Sequence, residues 1–549
     1  MSLTTLFSQL SQVVKGEVLT DETTLNFYSH DASLFEVKPQ VVIFPKDSED
    51  VKNIVKFLAQ SKKENPTLSI TARSGGTDMT GGCLNDSMIL DFSRYFKLIG
   101  EVNQAGTTVE PGVFYRDFEA KTLNQNLLMP SYPASKHICA LGGMIANNAG
   151  GEKTLSHGKT IDYVTGLKMV LRDGGEYDFR KLTKDELQKK LSQTDFEGQI
   201  YSQVYKLIEE NYDLIKNAKP KVSKNSTGYN IWDVWDKQSF DLSKIFVGAQ
   251  GTLGLNTQIT LKLSPRQNHY GLLVIYLNNL DLLPQLVNDV LQTKPESFEA
   301  FDDHTLKLAL RFMPQFIQIL GLKKTIEMGF QFLPSLFEFV FKGLPKFTLL
   351  IEFDGTTKEE VDQKIENLKS KIAHYQIEIL LAKTERQAEN YWAIRRESFN
   401  LLRKNVKNKH TAPFIDDFIV PPEHLIEFFP KLKVILEKHQ LDYTIAGHMG
   451  DGNFHIIPLM DLSQPADREK IPVVEEEVNE LVLAFKGSLS AEHNEGLVRG
   501  HYIKKMYGEK MFEIFKQIKR IFDPDNIFNP HKKTDANLEY SMQHIRLRF

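Results

Sequence analysis

Apolar positions along the chain follow two periods. Short runs rich in Val, Ile and Leu mark strands at Gln40–Phe44, Leu68–Ala72, Met88–Asp91 and Thr107–Glu110. Between the first two, Val51, Ile54, Val55 and Leu58 recur at helical spacing. Leu3, Leu6, Leu10, Val13 and Val14 predict a short amphipathic helix at the N-terminus. A further strand is predicted around Val164–Leu171, and β-branched sequence returns over Phe246–Leu263 after a glycine turn. Residues 182–242 are polar and helical and read as an excursion. The proline at Ser264–Pro265 predicts an end to strand pairing and a boundary. Gly271–Leu277 opens the second half as a strand. The alternation predicts a mixed helix-and-sheet protein without internal repeats or low-complexity linkers.

Composition narrows the class. The 549 residues are 41% hydrophobic with 33 glycines, the make-up of an ordinary globular chain. Lys and Arg number 67 against 71 Asp and Glu, a net charge of −4, without the basic excess of a nucleic-acid binder. Two cysteines, Cys83 and Cys139, exclude a disulfide scaffold and a protein-borne iron–sulfur cluster, and fit a reducing compartment. The first 14 residues lack the features of a signal peptide. No uncharged apolar run of about 18 residues predicts a membrane span. The expected location is therefore cytoplasmic. The stretch from Thr305 to Phe347 is locally different: phenylalanines crowd it, and Lys307, Arg311, Lys323, Lys324, Lys342 and Lys346 outnumber Glu327 and Glu338. It reads either as a helical part of the second half or as a peripheral contact with the inner face of a membrane.

Candidate chemistry begins with glycine. Arg73–Gly82 follows a strand and contains two Gly-Gly pairs, which let backbone N–H groups face one concave point and cradle phosphate oxygens. It matches neither the dinucleotide fingerprint nor a Walker A loop. Gly158-Lys159-Thr160 ends like a P-loop, but Lys153 stands where the required glycine would be. Pro133–Gly151 is a second loop of small residues that a flat ring or diphosphate could approach, and Phe246–Gly254 is a third.

The order of these loops resembles the FAD-linked oxidase (type 4) family of the vanillyl-alcohol-oxidase-like superfamily, whose members include D-lactate, glycolate and D-2-hydroxyglutarate dehydrogenases. The resemblance covers about residues 36–535. It implies an α+β protein: an N-terminal helical segment (1–35), a two-subdomain PCMH-type FAD-binding domain (36–265), an α+β substrate domain with an antiparallel sheet (266–531), and a short helical tail (532–549). It further implies that Arg73, Ser74, Gly75, Gly76, Thr77, Asp78, Gly81 and Gly82 wrap the FAD diphosphate. Pro133, Gly142, Gly143, Asn148 and Gly150 would line the flavin and ribityl region. Gly248, Gly251 and Gly254 would close the adenine side, and the closing motif Phe522–Pro530, with Asn529, would return to the flavin. Asp78 stands where covalently flavinylated relatives carry histidine, so the FAD is expected to be non-covalent. Gln250 replaces a common glutamate.

A histidine hairpin adds a second centre. Asp451-Gly452 is a two-residue turn signal, which would place His448 directly opposite His455 with Cβ atoms about 5 Å apart, close enough to share one metal ion. By resemblance, Glu492 completes a His/His/Glu site for a divalent metal (zinc or manganese) and His493 is the general base. Asn494 stands where the family has glycine, and asparagine tolerates the left-handed backbone such a turn needs. Arg395 matches the arginine that binds the substrate carboxylate. Ile415 falls where D-2-hydroxyglutarate-specific relatives carry lysine, which argues against a second substrate carboxylate. The expected function is oxidation of a D-lactate-like D-2-hydroxy acid, with electrons passing to a quinone, a cytochrome or an electron-transfer flavoprotein and with no role for nucleic acid. Two alternatives stand beside it: non-oxidative chemistry of the alkyl-dihydroxyacetone-phosphate synthase type, and a non-catalytic flavin subunit of an electron-transfer complex.

Overall fold

The computed structural model describes residues 3–311, 343–395 apart from 383 and 385, and 409–548. Three sheets organise them. The first has four strands in the order Glu17–Leu19, Val41–Phe44, Met88–Asp91, Ile70–Arg73; its last three are parallel. The crossover helix Ser48–Ser61 buries Val51, Ile54, Val55 and Leu58 completely, as their spacing predicts. Asp47 caps it by accepting from the Asp50 N–H. The N-terminal helix Leu3–Val13 packs here too. Its buried stripe runs through Leu6, Phe7, Leu10 and Val14, whereas Val13 faces solvent at 41% exposure, contrary to the predicted stripe.

The second sheet is antiparallel, in the order Thr107–Val109, Leu255–Leu261, Val164–Val170, Glu176–Thr183, Ser239–Asp241. Residues 182–242 prove to be more than an excursion. Helices Lys184–Leu191, Phe196–Glu210 and Tyr212–Ala218 place Leu187, Tyr201, Val204 and Ile215 in this sheet's core, and Ser239–Asp241 forms its edge strand. Ser264–Pro265 does not end pairing: it pairs with Leu127–Leu128 in a two-residue ribbon. Proline is tolerated on such an edge because the ribbon has no further strand that needs its missing N–H.

The third sheet spans the second half and is antiparallel. Its order is Ile379–Ala382, His269–Leu277, Phe347–Gly355, Ser297–Asp302, Tyr443–His448, Asn453–Met460, His410–Thr411, with Asp416–Ile419 also pairing to Asn453–Met460. Helices Leu283–Leu291, Lys358–Ile372, Leu425–Lys438 and Pro465–Ala484 bury their apolar faces in its core. Most of the Phe-rich 305–347 stretch lies outside the described residues. At its ends, Phe347 is buried in the sheet core, and Lys307 and Lys346 both approach Asp303, at 2.8 and 3.8 Å. No helix among the described residues is long and apolar enough to cross a membrane.

Candidate active site

One cavity of about 1020 Å³ joins loops from all three sheets. At one end stand the predicted glycine-loop residues Arg73, Ser74, Gly75, Gly76, Thr77, Asp78 and Gly82, with Pro133, Gly142, Gly143, Gly150, Gly251 and Gly254. At the other stand Arg395, His448, His455, Glu492 and His493. Four predicted residues do not line it. Gly81 packs against Phe35 and Leu497. Asn148 ends the helix Leu141–Asn147 in the left-handed region and accepts from the Ile161 N–H. Gly248 offers its carbonyl to Asn494. Asn529 lies behind the loops, where its amide donates to the carbonyls of Gly82 and Gln250. It thereby clamps two glycine loops together instead of touching what they enclose.

The glycine end fits a flat, phosphate-bearing group. Gly143 has ordinary helical backbone, and a Cβ there would meet only Ser74 Oγ at 3.4 Å. Neither backbone nor neighbours require glycine, so the bare surface serves the cavity itself. Gly76 and Gly251 have φ of +64° and +67°, which L side chains rarely adopt. Asp78 shapes the first loop by accepting from the N–H groups of Thr80 and Gly82 and from the Asn147 amide. Arg73 lines the cavity, and its guanidinium donates to the carbonyls of Tyr28 and His30. That tie carries Phe27, His30 and Asp31 into the cavity wall, a contribution the sequence did not signal.

The histidine end has a different register from the one predicted. His448 pairs with Asn453, and His455 with Ala446, because the turn spans Met449–Gly452. Gly452 supplies the positive φ of +72°. The two histidines are thus diagonal, not opposite. A shift of two residues preserves the face of a strand, so the rings still converge, with centroids 5.3 Å apart.

They converge on a single atom. Oε1 of Glu492 lies 3.0 Å from His448 Nε2, 3.3 Å from His455 Nε2 and 3.8 Å from His493 Nε2. Each Nδ1 faces a carboxylate: Glu299 at 2.7 Å from His448, and Asp416 at 2.9 Å from His455 and 2.5 Å from His493. A carboxylate at Nδ1 fixes the tautomer and leaves the Nε2 lone pair for a cation, the arrangement of metal-binding histidines. The donor set therefore fits a divalent metal. Asp417 lies close by, but its oxygens are taken up by the N–H groups of Glu492 and His493 and by Ser490. It shapes the ligand loop. Asn494 has φ +71°, so asparagine does take the left-handed turn.

Charge in the cluster follows from burial and partners. Burial opposes charge on His455, but Asp416 and Glu492 outweigh it and push the ring up to about 10. His493 is raised in the same way, against burial, by Asp416 and Asp417. Glu492 is held well below the usual carboxylate range, against burial, by His448 and Lys224. Arg395 is buried and pairs with Glu299, which also holds His448. Ile415 is buried in the sheet core and is not among the residues that line the cavity. Glu299, Asp416, Asp417 and Lys224 escaped sequence reading because each lies far along the chain from the ligand it supports.

Residues 39–179 match the profile described as FAD binding domain, and residues 266–533 that described as FAD linked oxidases, C-terminal domain. The chain belongs to the FAD-linked oxidases. It is 28% identical to a D-2-hydroxyglutarate dehydrogenase of Pantoea ananatis, over 96% of this chain and 51% of that one. It is 26% identical to the glycolate oxidase subunit GlcD of Bacillus subtilis, over 95% of each chain. With a D-lactate dehydrogenase of Anaerostipes hadrus it shares 24% identity over 96% of each. The chain thus spans about half the length of the Pantoea relative. Among solved structures, p-cresol methylhydroxylase with substrate bound has a TM-score of 0.68 at 15% identity, covering 98% of this chain and 97% of that one. An alkyldihydroxyacetonephosphate synthase has a TM-score of 0.66 at 14% identity, covering 97% and 85%. These two share this chain's α+β fold.

Proposed function

We propose that the chain is an FAD-dependent, metal-assisted dehydrogenase of a D-lactate-like D-2-hydroxy acid. The observation that carries this reading is the single cavity, with a bare glycine cradle at one end and three histidines around one glutamate oxygen at the other. The glycine loops at Arg73–Gly82, Gly142–Gly150 and Gly251–Gly254 would hold non-covalent FAD, and His448, His455 and Glu492 would hold a zinc or manganese ion. When bound, these groups supply a hydride acceptor and a Lewis acid that lowers the pKa of the substrate hydroxyl.

This chain's own residues do the rest. Arg395 offers a guanidinium, suited to the substrate carboxylate, at the cavity wall. His493 presents Nε2 to the cavity while Asp416 holds its Nδ1, so the hydroxyl proton has an oriented acceptor. Asp416 also holds His455, so one carboxylate orients a ligand and the base together. Glu492 is itself buried, which strengthens its interaction with the histidines around it. Electrons would leave to a quinone, a cytochrome or an electron-transfer flavoprotein. The names of the relatives support the substrate class. The test is anaerobic flavin bleaching across a panel of D- and L-2-hydroxy acids. Bleaching by D-lactate or a close analogue is expected, and an unbleached flavin with every member would overturn the reading.

A further inference from the structure

Glu492 uses its two oxygens for different purposes. Oε1 faces the three histidines, and Oε2 lies 3.4 Å from the ammonium of Lys224. Lys224 is fully buried, with 0% of its side chain exposed, and its second ion-pair partner is Asp451 at 3.1 Å. Asp451 sits in the turn between the two hairpin histidines, and its N–H donates to the carbonyl of His448. A buried ammonium is costly unless charged partners surround it, and here both partners belong to ligand-bearing segments. The lysine is also delivered rigidly. Ser226 and Ser490 share a backbone hydrogen bond of 2.9 Å, Ser490 N–H donates to Thr227 Oγ1, and Lys159 donates to Ser226 Oγ at 2.7 Å.

Building on the metal-assisted reading above, we propose that Lys224 is a positioning residue that occupies Oε2 of Glu492 and restricts the carboxylate to one-oxygen coordination of the bound cation. One carboxylate oxygen and two imidazoles make a low-coordinate site with a position left open for substrate, which suits zinc. Freed from the lysine, Glu492 could offer both oxygens. The higher coordination number then favours manganese, an ion that accepts more oxygen ligands. The tie to Asp451 holds the hairpin turn and the Glu492 loop at one separation, so the same lysine sets how closely the ligands converge.

The holoenzyme, loaded with cobalt in place of its own metal, tests this directly. Lys224→Met keeps the length of the side chain and removes the charge. Its visible cobalt bands are expected to lose intensity as coordination rises, and its zinc-over-manganese preference to fall about tenfold, the usual scale for losing a group that orients a ligand. Bound FAD should be unchanged, which separates this effect from misfolding. Unchanged cobalt bands and an unchanged preference in a flavin-loaded variant would overturn the proposal. Should the variant fail to retain flavin, X-ray absorption on zinc-loaded wild-type protein gives the answer without it. A carboxylate bound through one oxygen is expected, and one bound through both overturns the role of Lys224 alone. Wild-type protein that takes up no cation overturns the metal reading and this inference with it.

Discussion

The two ends of the cavity are built by opposite means. The glycine end is made by leaving side chains out: local loops of small residues line it, and Gly143 stays bare although its protein neighbours would admit a Cβ. The histidine end is made by bringing side chains in, from Glu299, Arg395, Asp416, His448, His455 and Glu492–His493, against the burial cost of each charge. The first kind of site is written within short stretches. The second exists only once five distant segments meet. Gly150 is where the two ends touch, since a Cβ there would lie 2.8 Å from Glu492 Oε2.

That contrast can be broken from either side. The largest effect is expected from His448→Ala or His455→Ala. Either change should abolish retained metal by elemental analysis and turnover with it, while the flavin spectrum persists. Gly143→Val should do the reverse. It fills the cradle, so flavin retention after gel filtration should be lost while the histidine end still takes up zinc.

His493→Gln is predicted to retain both groups and to lower kcat by about 10²- to 10⁴-fold, the span of a lost general base. Comparable kcat with and without the ring would remove His493 from the mechanism.

The carboxylate network predicts a pH dependence. His455 has a folded pKa of about 10, raised above its ordinary value of 6.5. Its contribution to stability is therefore complete below about pH 6.5 and disappears as pH rises through about 10. Chelator-treated protein should show a falling Tm across that window. Asp416→Asn, which removes the carboxylate charge beside the ring, should flatten the slope.

The smallest effect belongs to Gln250→Glu. Gln250 accepts from the Gly496 N–H at 2.9 Å and donates to Asn147 Oδ1 at 3.2 Å. The substitution keeps the first bond but turns the second donor into an acceptor facing Asn147 Oδ1 in a buried site, an expected loss of about 1–3 kcal/mol of stability by thermal unfolding.

Much of this was legible in the residues. The helix Ser48–Ser61 and the strands at Val41, Met88 and Val164 follow directly from apolar period. The left-handed turn at Asn494 is implied by the family's glycine there, and asparagine tolerates that backbone. The hairpin register did not. Asp451-Gly452 is a sound turn signal, yet the turn closes over four residues, with Asp451 N–H bonded to His448 and Gly452 N–H to Met449. Turn length depends on how the flanking strands pair with a sheet, and that pairing is not written in the turn. The site tolerated the difference because a two-residue shift keeps both histidines on one face.

By itself, the sequence determined the elements, the glycine loops and the histidines, because these depend on residues near one another in the chain. The tertiary structure alone decided which carboxylate holds which ring, that Asn529 clamps loops instead of lining the cavity, and that Lys224 arrives beside Glu492. Those are contacts between segments from 39 positions apart, for Asp416 and His455, to 268, for Lys224 and Glu492, and further still for Asn529. Their selection rests on burial, since a charge withdrawn from water must find its partner wherever the fold places one.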